Sequence, residues 1–187
     1  MRKSDEILYN LISEVRKVGN EILIPNFYIG SWEMDLFRQL NSGYITEYEI
    51  KTSRADFRND FKKSTEDVRY NFDEKKVERS NFRTKHELME KGKYVANKFF
   101  FVVPYGLVQP SEVPAYAGLI YYIEDEWGNR FETVKPAKFI HKNKSEIPLE
   151  SLVKSLCYRE YNVRLKNRLL TQKIKSLQNE REKSSRD

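Results

Sequence analysis

The residues of this chain whose types and spacing could do chemistry are Asp35 and, fourteen positions beyond it, Glu49 within the run Glu47-Tyr48-Glu49-Ile50-Lys51. In an extended segment successive side chains face opposite ways. Glu47, Glu49 and Lys51 therefore project to one side, and Tyr48 and Ile50 to the other. Asn41-Ser42-Gly43 reads as a tight turn that folds the two flanking segments back on each other, bringing Asp35 beside Glu49 and Lys51. Two carboxylates and an ammonium at one point make a site for a hard divalent cation and an activated water. Hydrolysis of a phosphodiester requires such an arrangement. The competing reading is an exposed hairpin carrying surface charges, since charged side chains are mostly solvated. Against it, Lys51 runs directly into a capped helix, where a cation opposes the helix dipole unless an anion is to be bound.

The elements that must position these residues follow from periodicity. Ser4 can cap a helix with Ile7, Leu8, Leu11, Ile12, Val15 and Val18 at helical spacing, stopped by Gly19. Strands are predicted at about 21–29, 33–40 and 44–52. Ser53 caps the next helix, with Asp56 at its third position and Phe57 and Phe61 at i, i+4. Residues 62–83 are highly charged and read as a solvated excursion, and Lys85 to Lys91 as a short helix ended by Gly92. Phe99-Phe100-Phe101-Val102-Val103 reads as a buried central strand, Ala117 to Ile123 as another, and about 130–134 as an edge strand. A long helix is predicted from Pro148 to about 178. The fold class is thus α/β, a mixed central sheet flanked by helices with a long C-terminal helix. The domain reading is a core over 1–147 with an insertion at about 62–83, a basic helix over 148–179, and a disordered tail over 180–187.

The chain has 187 residues, of which 39% are hydrophobic and 13% aromatic, enough for one domain with a core. A net charge of +6 and an isoelectric point near 9.2 favour a polyanionic partner, nucleic acid first. The single cysteine, Cys157, excludes an intramolecular disulfide and suits a reducing, cytoplasmic setting. Its apolar neighbours in sequence suggest a packed thiol. No apolar run is long enough to span a membrane and no signal peptide is evident. Glycine-rich phosphate loops, His-Glu-x-x-His, Gly-x-Ser-x-Gly and zinc-ligand spacings are absent from the sequence.

Glu49-Ile50-Lys51-Thr52-Ser53-Arg54-Ala55-Asp56-Phe57-Arg58, then Phe99-Phe100-Phe101-Val102-Val103-Pro104, then Pro114-Ala115-Tyr116-Ala117-Gly118-Leu119-Ile120 together resemble the PD-(D/E)XK nuclease superfamily. Within it they are most similar to MmcB-like DNA-repair nucleases and phage-borne relatives. The resemblance implies a restriction-endonuclease-like core and a metal-dependent DNA nuclease acting in repair, recombination or phage DNA processing. It implies that Asp35 and Glu49 ligate the metal, with the Ile50 carbonyl as a further ligand, and that Lys51 orients the attacking water. Mg²⁺ is the expected ion, because it tolerates two carboxylates, a carbonyl and several waters, and Mn²⁺ should substitute. Some members add a glutamate from the first helix. Here Glu6 points away from the apolar stripe, Glu14 sits at its edge, and Leu8 takes the inward place in the first turn. Glu33 or Glu47 could supply an extra carboxylate instead.

DNA is the expected partner. Arg54, Arg58, Lys62 and Lys63 follow the catalytic strand, and Lys85 and His86 open the second short helix, as a Lys-His pair does in the phage-type relatives. His141, in a Lys-rich turn, reads as exposed. In the last helix Arg164, Lys166 and Arg168 could track a phosphate backbone, or the helix could dock, or pair in a homodimer. Tyr121, Tyr122 and Trp127 could stack on bases but read more simply as packing residues. The alternative function is a non-catalytic nucleic-acid-binding module on the same scaffold.

Overall fold

A computed structural model describes residues 2–16, 21–29, 32–71, 76–144, 147 and 149–184. They fall into two compact units, Met1–Glu146 and Ile147–Asp187.

The first unit is built on a sheet begun by three consecutive antiparallel strands, β1 (Ile22–Ile29), β2 (Trp32–Gln39) and β3 (Ile45–Ile50). The β2–β3 turn closes through the Leu40 carbonyl, which accepts from the Gly43 N–H at 2.8 Å, and the Tyr44 carbonyl, which accepts from the Leu40 N–H at 2.9 Å. Gly43 adopts φ +84°, a left-handed conformation that a Cβ disfavours.

The chain then leaves the sheet. The Ser53 hydroxyl accepts from the Asp56 N–H at 3.1 Å and starts α2 (Arg54–Asp60). Next, β4 (Ser64–Asn71) and β5 (Lys76–Thr84) pair antiparallel as a separate two-stranded sheet. Residues 62–83, read as a solvated excursion, are therefore largely a β-ribbon. Apolar alternation marks a strand only when one face packs on a core, and this charged stretch offers no such pattern. Thr84 and Glu87 form a reciprocal capping box that opens α3 (Lys85–Glu90). Gly92, at φ +66°, follows the helix end.

β6 (Lys98–Pro104) re-enters the sheet parallel to β3, and β7 (Gly118–Asp125) lies parallel to β6. β8 (Gly128–Lys135) closes the edge antiparallel to β7, giving the order β1-β2-β3-β6-β7-β8. This is a mixed sheet flanked by helices.

The sheet has two differently used faces. On the first, Ile7, Leu11 and Val15 of α1 (Lys3–Val15) pack on Leu36, Tyr48, Ile50, Val102, Ile120 and Tyr122. The inward residue of the first turn is Ile7, with Leu8 only partly buried. Ser4 lies inside α1 and does not cap it. Arg2 holds the N-cap position in an extended conformation and pairs with Asp5 at 3.0 Å. Val18 and Gly19 lie outside the described residues. On the second face, Phe37, Glu47, Glu49, Phe99 and Phe101 are covered by α2 and α3. Phe57 meets Phe101 edge-on at 4.9 Å, and His86 meets Phe99 at 5.8 Å.

The second unit is α4 (Leu149–Ser184), about 54 Å long at the usual rise per residue. It runs past the expected end near 178, through Glu180-Arg181-Glu182-Lys183, because those polar residues are good helix formers. Residues 185–187 lie outside the described residues. Cys157 is exposed and not packed. Among the described residues no helix is long and apolar enough to cross a membrane.

A buried carboxylate–lysine cluster as candidate functional site

Strand register sets the first part of the site. Leu36 lies opposite Tyr48 and Phe37 opposite Glu47, which puts Asp35 beside Glu49 on the face away from α1. Asp35 Oδ2 accepts from the Ile50 N–H at 2.6 Å. Burial and the nearby Glu49 charge push the Asp35 carboxyl up to about 7, although the Ile50 amide and Lys51 oppose the rise. Among the described residues Asp35 forms no ion pair within 4 Å. Ile50, proposed through its carbonyl, touches Asp35 here through its amide.

Lys51 leaves the end of β3 only 2% exposed and is held by two carboxylates, Glu49 Oε1 at 2.8 Å and Asp60 Oδ1 at 2.7 Å. Asp56 Oδ1 is a more distant third at 3.9 Å. Burial works against the Lys51 charge, but Glu49 and Asp60 outweigh it and its pKa is raised. Asp60 was not among the residues expected here. It is fully buried, and its carboxyl is held well below the usual range. Burial is opposed there by a hydrogen bond from His86 and by the charges of Lys51 and Lys63. A signal for it existed: Phe57, Asp60 and Phe61 share one face of α2, so an acid sits on the apolar side of a helix.

α3 contributes the next layer. Lys85 and His86, expected at a substrate groove, are 2% and 5% exposed and lie inside the cluster. As they stand they offer no surface to a phosphate backbone. Lys85 Nζ makes a close ion pair with Glu47 Oε1 and lies 3.2 Å from Glu49 Oε2. It also donates toward the Glu33 carbonyl at 3.4 Å. Glu47 is fully buried, and burial pushes its carboxyl up to about 7 against the pull of Lys85. The Tyr94 hydroxyl, also buried, faces Glu47, and its pKa is raised by burial and by that acid. Lys85 remains charged, because Glu47 and Glu49 outweigh its desolvation. His86 bridges Asp60 Oδ2 at 2.8 Å through Nε2 and the Tyr116 hydroxyl at 2.5 Å through Nδ1. Tyr94 and Tyr116 carry no short-range sequence signal, since both reach their partners across the fold.

Lys63 is the outermost cation. Half exposed, it reaches Glu49 Oε1 at 3.2 Å and Asp60 Oδ1 at 3.0 Å. The other expected nucleic-acid residues do not join the cluster. Arg54 donates to the Leu107 carbonyl at 2.8 Å and pairs with Glu112, while Arg58 and Lys62 are exposed. Arg164 pairs with Glu160 at 2.6 Å on α4, where Lys166 and Arg168 are exposed. The Glu33 side chain is exposed. α1 packs on the opposite face. Its Glu6 accepts from the Tyr122 hydroxyl at 3.0 Å, and Glu14 is exposed, so neither is placed to join Asp35 and Glu49. His141 is not free in solvent, since its Nε2 lies 2.6 Å from the Tyr94 carbonyl. Tyr121 and Tyr122 are buried, whereas Trp127 is exposed at the β7–β8 turn.

Among the described residues no group of three or more His, Cys, Asp or Glu side chains converges in a metal-holding arrangement. The donors that do converge, Asp35 and Glu49, are hard oxygens. The Asp35 carboxyl, raised by burial and Glu49 and only partly offset by the Ile50 amide, Lys51 and Lys85, is one whose ionised form a divalent ion would stabilise.

No family model matches the chain, and no curated protein matches it. Among solved structures, the SPO1766 protein of unknown function from Silicibacter pomeroyi is similar over 88% of each chain, with a TM-score of 0.52 at 18% identity. That likeness concerns the fold alone.

Proposed function

We propose that this protein is a Mg²⁺-dependent deoxyribonuclease built on a restriction-endonuclease-like core, acting in DNA repair, recombination or phage DNA processing. The observation that carries the reading is Asp35 beside Glu49 without an ion-pair partner of its own among the described residues, with the Lys51 ammonium, just past the end of β3, bonded to Glu49. Buried ionisable groups are costly to maintain, and strongly perturbed ones concentrate at functional sites.

Asp35 and Glu49 would hold the ion, with Mn²⁺ able to replace Mg²⁺. When bound, such an ion polarises the phosphate and makes a coordinated water more acidic. The remaining work falls to the chain. Two of the three Lys51 ammonium protons are engaged by Glu49 and Asp60, and because the side chain is 2% exposed the third would reach the attacking water or a phosphate oxygen only once the cover over it, Lys63 included, moves aside. Asp60, itself fixed by His86, keeps that ammonium charged and aimed. Lys63 is half exposed and shares Glu49 Oε1 with Lys51, so its withdrawal would leave that oxygen with one cation in place of two.

A second reading, a non-catalytic nucleic-acid-binding module, draws on one observation. Glu49 is already paired with Lys51, Lys63 and Lys85. Plasmid cleavage in Mg²⁺ or Mn²⁺, with and without EDTA, separates the two. The nuclease reading expects metal-dependent cleavage that falls about a hundredfold or more in Asp35→Ala, Glu49→Ala and Lys51→Ala. Metal-independent binding without cleavage would leave only the binding module, and wild-type cleavage rates in all three folded variants would overturn the assignment of Asp35, Glu49 and Lys51.

A further inference from the structure

We infer that Lys85 is a built-in counter-ion standing where a second divalent cation would otherwise sit, so that the site takes one metal ion per chain. This rests on the metal-site reading above and adds to it the stoichiometry.

The geometry is that of a cation enclosed by oxygen. Lys85 Nζ faces Glu47 Oε1 in a close pair, Glu49 Oε2 at 3.2 Å and the Glu33 carbonyl at 3.4 Å, on a side chain 2% exposed. The rings of Phe99, at 5.5 Å, and Tyr94, at 6.0 Å, flank the same ammonium. Two-metal phosphodiester sites place their ions about 3.5–4 Å apart and need a carboxylate that reaches both, plus a further acid for the second ion. In this cluster Glu49 is the carboxylate with two serviceable oxygens. Its Oε1 side faces Lys51 and Lys63, and its Oε2 side faces Lys85. Glu47, the acid that could complete a second site, is fully buried and engaged by Lys85. α1 supplies no substitute, because it packs on the other face of the sheet. A lysine in this place delivers one positive charge permanently, without an open coordination position. It can balance Glu47 and Glu49, but it cannot carry a nucleophilic water.

The Lys85 side chain also differs in kind from Lys63, which contacts Glu49 from the solvent side and is half exposed. One ammonium is displaceable and the other is locked in the core. That asymmetry predicts which of the two can yield to a metal.

Mn²⁺ is the probe. Titration of the full chain, followed by the free-ion electron paramagnetic resonance signal, should give one bound Mn²⁺ per wild-type chain. Lys85→Met keeps the linear stem of the side chain and removes its ammonium. It should bind two, with the spin–spin broadening of a coupled pair, and gain more in melting temperature on Mn²⁺ addition than wild type does. Lys85→Arg should remain at one. Two ions on wild type would overturn the inference, as would a single ion on a folded Lys85→Met with wild-type thermal response. If Lys85→Met folds poorly, recovery of its native circular dichroism by Mn²⁺ at two ions per chain supports the inference, and recovery at one ion, or none, overturns it. No Mn²⁺ on wild type is a different failure: it removes the metal-site reading, and this inference falls with it.

Discussion

Asp35 sits between two claims on its proton. Water would leave it ionised at neutral pH, whereas burial and Glu49 raise its folded-state pKa to about 7. A carboxyl raised on folding stabilises the native state most at low pH, where it is protonated in the fold, and that contribution is lost as pH rises through the folded value. The wild-type chain should therefore lose stability from Asp35 between about pH 4 and 7. Asp60 does not blur this window: its pKa is lowered, so its contribution is complete above the ordinary carboxylate range. Urea unfolding of wild type and Asp35→Asn at pH 5 and pH 8 checks it. The variant should gain on wild type by roughly 2 kcal/mol or more between the two pH values, and saturating Mg²⁺ should shrink that gain. A constant difference across the range would mean that Asp35 is not held as described. At this scale the sequence showed Asp35, Glu49 and Lys51, because turn chemistry and strand alternation are local. Asp60, Tyr94 and Tyr116 stayed hidden, because their partners lie on other elements. Lys85 and His86 were visible as a pair but not as buried ones, since nothing local distinguishes a lysine that faces two glutamates from one that faces water.

Among the elements, the tightest constraint is where β7 meets β6. Gly118 lies opposite Phe100, and a Cβ there would run into the Phe100 ring and come within 2.8 Å of the Ala137 backbone nitrogen. Its φ is not the difficulty; space is. Gly118→Ala should destabilise by about 1–3 kcal/mol through overpacking, measured by denaturant unfolding, while Gly106→Ala serves as a control for backbone strain, since Gly106 has open space and φ +72°. Ser53→Ala, which removes the cap of α2, should cost about 0.5–2 kcal/mol. It should also slacken the hold of Asp60 on Lys51, because Asp60 is the last residue of that helix. Helix caps, the β2–β3 turn and the apolar β6 run were legible because each is written in a few consecutive residues. The β4–β5 ribbon was not, for it lacks the apolar alternation that a packed face imposes. Asn97 was missed for another reason. Its buried amide accepts from the Ile45 N–H at 2.8 Å and donates to the Asn143 carbonyl at 2.7 Å, joining segments far apart in sequence.

For the whole molecule, the question is what the net charge of +6 is for. Two lysines, Lys51 and Lys85, are buried among acids and Lys63 is half exposed, so the DNA proposed above would be gripped mainly elsewhere. The exposed Arg164, Lys166 and Arg168 on α4 are the test case. Reversing all three to Glu should weaken DNA binding and reduce the slope of log affinity against log salt by about 2–3, as expected when three phosphate contacts are lost. Cleavage at saturating protein should stay near wild type. Unchanged binding, together with a change in sedimentation, would instead make α4 an element of self-association. Helix and sheet content were open to sequence reasoning at this scale. The extent of α4 and the exposure of Cys157 were not, because polar composition was taken for disorder and apolar neighbours for a core.

The parallel pairing of β3 with β6 has one more consequence. Glu47 lies opposite Phe99, so that ladder closes a loop of about fifty residues, and Asp60, Lys63, Lys85 and His86 all lie within it. β1, β2 and β3 can zip together from neighbouring sequence with Lys51 already beside Glu49, but Glu47 and Glu49 meet Lys85, and Glu49 meets Lys63, only after that long loop has closed. In a hairpin formed ahead of that closure, Glu47 and Glu49 would still be solvated. Their burial is expected to come late, as Lys63 and Lys85 are drawn in from the segment between β3 and β6. Refolding should accordingly be slow for a chain of this size. Glu47→Gln, which removes one of the two charges to be enclosed, should speed that last step in stopped-flow refolding even though it leaves the earlier hairpin untouched.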